Sequence, residues 1–305
     1  GSVTTEQTAE TCYQCHERKD AGPVLHQALA SGAQCTNCHD PHAADHPQFL
    51  KSKAPEMCIG CHTDVHSSDA ATTHSPVVDG KACLNCHTPH SGQHPNLLVA
   101  NKNELCFQCH TAPINRKKGP PSGQIPSIKH QLENSRYLHQ PFTEEGNCTT
   151  ACHVPHSAEE TFLLSKHYPS NTYTTKSGRN DETYGLCFQC HSTDLLNKNL
   201  KNGDETGFRK DAQVRKNGFS KKTRIERTNL HWLHVVGGAG PSGNNGFNGM
   251  ERSCAACHSA HGTDQPFMIK SSITIENIFA GTVETGDDGD PLSLDFSIDF
   301  KTQPD

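Results

Sequence analysis

The chain of 305 residues has a formal net charge of −6, from 27 basic and 33 acidic side chains, with 32% hydrophobic and 6% aromatic content and a mean hydropathy of −0.70. That charge argues against nucleic acid as a partner, and no apolar run approaches the roughly 18 residues needed to span a bilayer. A chain this long and this poor in core formers buries less hydrophobic side chain than an ordinary domain of its size, so its core needs another source of apolar surface.

Sixteen cysteines fall in eight pairs, and a histidine directly follows the second cysteine of every pair. In chain order the groups are Cys12, Cys15 and His16; Cys35, Cys38 and His39; Cys58, Cys61 and His62; Cys83, Cys86 and His87; Cys106, Cys109 and His110; Cys148, Cys152 and His153; Cys187, Cys190 and His191; and Cys254, Cys257 and His258. Two thiols at this spacing reach the two vinyl positions of a porphyrin while the next side chain points at its iron, which is the c-type haem attachment pattern. Only the Cys148 group departs from it, with three residues between the cysteines instead of two. Zinc ribbons and thioredoxin-like redox sites also use paired cysteines, but neither needs a histidine after the second, and no cysteine is left over for a disulfide. The sequence therefore predicts eight covalently attached haem c groups, about 38 residues apiece from 305 divided by 8. The expected fold is mostly irregular loop with short α-helices around a haem chain, forming only once haem is attached. Haem of this type is installed outside the cytoplasmic membrane, so a signal peptide is expected to have been removed before Gly1.

The motifs alternate between two kinds. The Cys12, Cys58, Cys106 and Cys187 motifs stand alone, whereas the others carry a second histidine three residues after the first: His42, His90, His156 and His261. Most of these doubled motifs are followed by an apolar pair or triplet, such as Phe49 and Leu50 or Leu97, Leu98 and Val99. A module of one lone and one doubled motif, repeated four times, is the building block. Four further histidines, His26, His74, His139 and His234, lie upstream of the doubled motifs; three follow a leucine, and three stand nine residues before the next cysteine. With the four doubled histidines they make eight candidate second axial ligands for eight irons.

A histidine three residues from the proximal one emerges on the same side of its short segment and cannot reach the far face of its own haem. It must serve a neighbour, through a leash stiffened by Pro41, Pro89 or Pro155. His46, His66, His94, His130, His167 and His231 fall outside the ligand pattern; His46 and His94 read as surface or propionate contacts, His130 and His231 are the next candidates for the ligand set, and Met57, Met250 and Met268 do not recur at ligand positions.

More than sixty residues separate Cys190 from Cys254, including the basic stretch 198–227, a solvated loop or a source of propionate counter-ions, and the glycine- and asparagine-rich stretch 237–249. In the tail Leu292, Leu294, Phe296, Ile298 and Phe300 alternate with Ser293, Asp295, Ser297 and Asp299, the period of a half-buried strand. A weaker strand signal over 273–279 and the turn-rich 286–290 make a small C-terminal β hairpin the expectation. The aspartates at 286–290 lack the full ligand spacing of a calcium loop. Two regions are expected: residues 1–270 as an octahaem domain and 271–305 as a β segment that either caps the chain's own surface or serves assembly.

Over residues 11–270 the pattern resembles the doubled-CxxCH multihaem cytochromes c of metal-reducing microorganisms, which include periplasmic conduits and surface cytochromes that polymerise into conducting filaments. The resemblance implies long-range electron transfer through bis-histidine haems at the cell surface or outside the cell, with other copies of the chain, other redox proteins or extracellular acceptors as partners. A periplasmic or porin-associated conduit is the alternative. An octahaem reductase needs an iron with an open position, which eight patterned distal histidines do not leave, so no catalytic residue is expected.

Overall fold

The computed structural model describes residues 5–30, 34–65, 69–115, 124–143, 147–169, 173–175, 182–197, 212–216, 224–229, 231–232, 235, 250–274, 276–277, 282–283 and 293–295. Among them helices are short: Thr5–Tyr13, Lys102–Phe107 and Ile128–Asn134 are the longest, and most others are single turns. The rest is loop and two-stranded antiparallel pairs, as a core supplied by haem allows. No helix among the described residues is long and apolar enough to cross a membrane.

Each attachment motif is a single hydrogen-bonded turn, helical in all but the Cys148 motif. The histidine N–H donates to the carbonyl of the first cysteine, at 3.0 Å from His16 to Cys12, 2.9 Å from His62 to Cys58 and 2.9 Å from His258 to Cys254, with the same bond in the other five. Positions i, i+3 and i+4 of such a turn share a face, so both thiols and the imidazole leave it on one side. The extra residue of the Cys148 motif widens the turn without opening it, because His153 N–H still reaches Cys148 O at 3.1 Å.

After each doubled motif the chain folds back on itself. His39 bridges Leu50, His87 bridges Leu98, His153 bridges Leu164 and His258 bridges Ile269. The reversal uses two consecutive residues at positive φ, near +56° to +58°: Gln48 and Phe49, Asn96 and Leu97, Phe162 and Leu163, Phe267 and Met268. None is glycine, and left-handed backbone costs each of them about 1 kcal/mol or more. Four recurrences of the same strained turn mean that the surrounding structure enforces it.

Three two-residue strand pairs join successive modules. Val24–Leu25 pairs with Ser91–Gly92, Thr72–Thr73 with Ser157–Ala158, and Tyr137–Leu138 with Gly262–Thr263. In each, the segment before an upstream histidine lies along the two residues after the doubled histidine of the following module. One strand of each pair carries glycine or alanine, and at Gly262 an added Cβ would stand 2.7 Å from Ser135.

The chain divides into two compact units, residues 1–127 with 147–165, and residues 128–146 with 166–305. In the second, Tyr184 (2% exposed) packs edge-on against Phe188 and tilted against Tyr168, whose hydroxyl accepts from Ala255 N–H at 2.6 Å. In the tail Ser272–Thr274 pairs with Ser293–Asp295, setting Ile273 opposite Leu294, and inside it Glu276–Asn277 pairs with Thr282–Val283, so the chain reverses before the expected turn at 286–290. The remainder of the alternating stretch 292–300 and the turn 286–290 lie outside the described residues, as does most of 237–249.

Candidate haem-binding sites

An imidazole on each face of one metal ion, at about 2 Å per metal–nitrogen bond, sets the two ring centres roughly 6 Å apart. Six histidine pairs have that separation. His26 and His62 lie 6.0 Å apart, His39 and His90 6.1 Å, His74 and His110 6.4 Å, His87 and His156 6.1 Å, His139 and His191 6.1 Å, and His231 and His258 6.3 Å. Five are close to parallel, at 3° to 27°, while His26 and His62 are tilted by 42°. Each pair contains one motif histidine, so these residues fit a haem iron with an imidazole on both sides.

The pairing crosses modules in a fixed sense. The upstream histidine of one module faces the lone motif of the next: His26 with His62, His74 with His110, His139 with His191. The doubled histidine of one module faces the doubled motif of the module before: His90 with His39, His156 with His87. His90 thus does not face His87, three residues away. The two sets are locked together by the backbone, because His26 N–H donates to His90 O at 2.8 Å, His74 N–H to His156 O at 2.9 Å and His139 N–H to His261 O at 3.0 Å.

Ring orientation is set through Nδ1. The proximal imidazole of every doubled motif donates from Nδ1 to a carbonyl nine residues on: His39 to Gln48 at 2.8 Å, His87 to Asn96 at 2.9 Å, His153 to Phe162 at 3.0 Å and His258 to Phe267 at 2.9 Å. Those carbonyls belong to the first left-handed residue of each strained turn. The turn therefore aims an acceptor at Nδ1, fixing the tautomer and leaving Nε2 for iron. On the distal side His74 Nδ1 donates to Pro155 O at 3.0 Å.

Burial pushes the imidazoles of His26, His74, His90, His110, His139, His153, His156 and His258 below the ordinary histidine range. Proximity to the opposite imidazole adds to the shift in His26, His90, His110, His139 and His156. Both effects favour the neutral ring that binds metal.

The cysteines report how the sites follow one another. Within a module the first cysteines meet: Cys12 with Cys35, Cys58 with Cys83, Cys106 with Cys148 and Cys187 with Cys254 are hydrogen-bonded thiol pairs. The bond from Cys106 brings Cys148 down to about 7, and burial, with the charge of Cys83, pushes Cys58 up to about 11. Between modules the charge of Cys61 raises Cys38, and the charges of Cys106 and Cys109 raise Cys86, each after the larger effect of burial. Neighbouring motifs thus adjoin in chain order from Cys12 to Cys148, and Cys187 adjoins Cys254.

Several supporting residues escape a reading of the sequence. Asn37 Nδ2 donates to Ala28 O at 2.8 Å and Asn85 Nδ2 to Pro76 O at 2.7 Å, each tying a doubled motif to the carbonyl two residues past an upstream histidine. Asparagine as the second intervening residue of a doubled motif is their shared signal. Asn229, fully buried, donates to Leu195 O and Asn197 O and accepts from His231 N–H at 2.9 Å. It turns His231 toward His258, so the imidazole opposite the last motif is one the sequence leaves outside the ligand set. His234, which the sequence places inside it, lies outside the described residues, as does His66.

Of the other patterned histidines, His261 packs edge-on against Phe142 at 5.7 Å. His42 is 94% exposed, and among the described residues no imidazole faces His16. His46 and His94 precede the prolines that open the strained turns.

A family model described as the doubled CXXCH motif matches residues 26–67, 74–114, 139–195 and 248–274, together more than half of the chain. Comparison with curated protein sequences finds no match.

Proposed function

Since the chain belongs to the doubled CXXCH motif family and is a multihaem c-type cytochrome of electron transfer, we propose that it carries electrons through eight bis-histidine sites in the order of its motifs. The observation that supports this reading is the set of six imidazole pairs with ring centres 6.0 to 6.4 Å apart, five of which tie one module to the next. When bound, haem supplies a one-electron iron couple at each site. The protein's own part is to hold two neutral imidazoles per iron, to orient them through Nδ1 hydrogen bonds, and to keep successive sites adjacent. A pair of imidazoles on one iron leaves no position for a substrate, so the proposed role is not enzymatic.

We place the protein at the cell surface or outside the cell and read it as a subunit that polymerises, with residues 271–305 as the assembly segment. The support is the tail hairpin of Ser272–Thr274 with Ser293–Asp295, since an open strand edge with an apolar face is a template for pairing. Electron microscopy of the purified holoprotein, whole and shortened to residues 1–270, tests this. Filaments from the whole chain and none from the shortened one are expected, with eight low-spin haems in the assembled protein. A chain that stays monomeric at high concentration transfers the role to a periplasmic conduit.

A further inference from the structure

The four doubled motifs share one backbone scheme, and a single position in it changes its side chain from copy to copy. Directly after each bridge the returning chain donates its N–H to the carbonyl of the second cysteine, from Lys51 to Cys38, Val99 to Cys86 and Ser165 to Cys152 at 2.9 Å, and from Lys270 to Cys257 at 2.8 Å. The occupants are therefore lysine, valine, serine and lysine. Lys51 Nζ donates to Thr36 O at 2.6 Å and Lys270 Nζ to Ala255 O at 2.5 Å. Each acceptor directly follows the first cysteine of its motif, inside the attachment turn. Ser165 donates from Oγ to Ala151 O in its own motif without bringing a charge, and Val99 is apolar.

The last carbonyls of a helical turn have no partner within it, so each lysine caps its turn. The valine copy forms the same turn without that cap, because His87 N–H still reaches Cys83 O at 3.0 Å. What lysine alone adds is a positive charge, held on a carbonyl between the two cysteines that carry the porphyrin. A cation beside a redox iron disfavours the oxidised state, which is the more positive of the two. We propose that Lys51 and Lys270 raise the reduction potentials of the Cys35 and Cys254 haems above those of the Cys83 and Cys148 haems, so that an electron rests at the two lysine-bearing sites in preference to the other two. This rests on the reading of one haem per motif. The setting of the proximal ligand is matched across the four, since every imidazole donates from Nδ1 to the carbonyl of a left-handed residue, at 2.8 to 3.0 Å. Lys270 is partly buried and Lys51 is exposed, so the charge acts more strongly at Cys254 and is less screened there by salt.

The test is a potentiometric titration of the holoprotein, followed by visible absorption and electron paramagnetic resonance, with haem content measured alongside. At a fixed applied potential near the midpoint, Lys270→Met should shift the oxidised-to-reduced ratio of one haem roughly tenfold toward oxidised, the effect of one charge at intermediate dielectric. Lys51→Met should shift a different haem by less, and the two together should shift two haems. Added salt should shrink the Lys51 effect and leave most of that of Lys270. Lys270→Arg should keep the native potential, because a guanidinium stays charged. Val99→Lys should move the Cys83 haem the opposite way, toward reduced. If Lys270→Met and Lys270→Gln melt earlier with every potential unchanged, the lysines are caps only, and the inference falls while the attachment reading stands. Should the methionine variant fail to fold, Val99→Lys decides, and a Cys83 haem that does not move overturns the proposal. Native protein with fewer haems than motifs defeats the attachment reading itself and this inference with it.

Discussion

His87 and Asn96, nine residues apart, are joined by a 2.9 Å hydrogen bond from the imidazole Nδ1 to a backbone carbonyl, and the acceptor residue has a φ of +56°. The strained turn and the ligand orientation are thus one device. Substituting Asn96→Val places a β-branched side chain where the backbone is left-handed and should lower stability by about 1–2 kcal/mol, with Asn96→Gly close to neutral. Thermal unfolding of the holoproteins checks the stability. Redox titration should show one of the haems altered in the valine variant, because a turn driven out of the left-handed region no longer aims the residue 96 carbonyl at His87 Nδ1.

His90→Ala should open the iron at the Cys35 motif, since His90 faces His39 at 6.1 Å and not the adjacent His87. A structure of the variant, or carbon monoxide binding that disappears when Cys35 and Cys38 are also replaced, locates the lesion. Loss at the Cys83 motif instead would contradict the cross-module pairing.

His231→Ala should open the iron at the Cys254 motif. Asn229→Ala should do so partially, because it removes the acceptor for His231 N–H and leaves the Leu195 and Asn197 carbonyls unpaired. Unpaired buried polar groups cost about 1–3 kcal/mol each, so this variant should also melt earlier. Spin-state titration against temperature separates the two variants, with His231→Ala high-spin at one iron throughout and Asn229→Ala becoming so on warming.

The attachment sites are legible in the sequence because covalent chemistry dictates their spacing: two thiols and an imidazole must share one helical face. The alternation of lone and doubled motifs is equally plain. The choice of facing imidazoles is not, because five of the six partners lie a module away and are brought in by strand pairs only two residues long. Leu233 makes His234 look like the other upstream histidines, whereas the device that positions an imidazole opposite His258 is a buried asparagine two residues before His231. Nor does any residue type mark the left-handed turns, where glutamine, asparagine and phenylalanine occupy the same place. A hydrogen bond and a bridge impose that conformation from outside.

Gly262→Val should detach His139 from the Cys187 site. A Cβ there would meet Ser135 at 2.7 Å and the Leu138 side chain at 3.1 Å, next to the strand pair that carries His139. Overpacking of this kind costs about 1–3 kcal/mol. One additional high-spin iron by electron paramagnetic resonance, absent from a Gly60→Ala control, is the expected outcome, because a Cβ at Gly60 meets nothing closer than 3.6 Å.

The meeting of first cysteines within each module bears on how the protein is made. Before modification, Cys12 and Cys35, or Cys187 and Cys254, would bring two thiols into contact in an oxidising compartment, with Cys148 poised for attack by its depressed pKa of about 7. A chain that compacted first would cross-link these pairs and block two porphyrin attachments at once. Haem attachment while the polypeptide is still extended and reduced would avoid that cross-link, and folding would follow it.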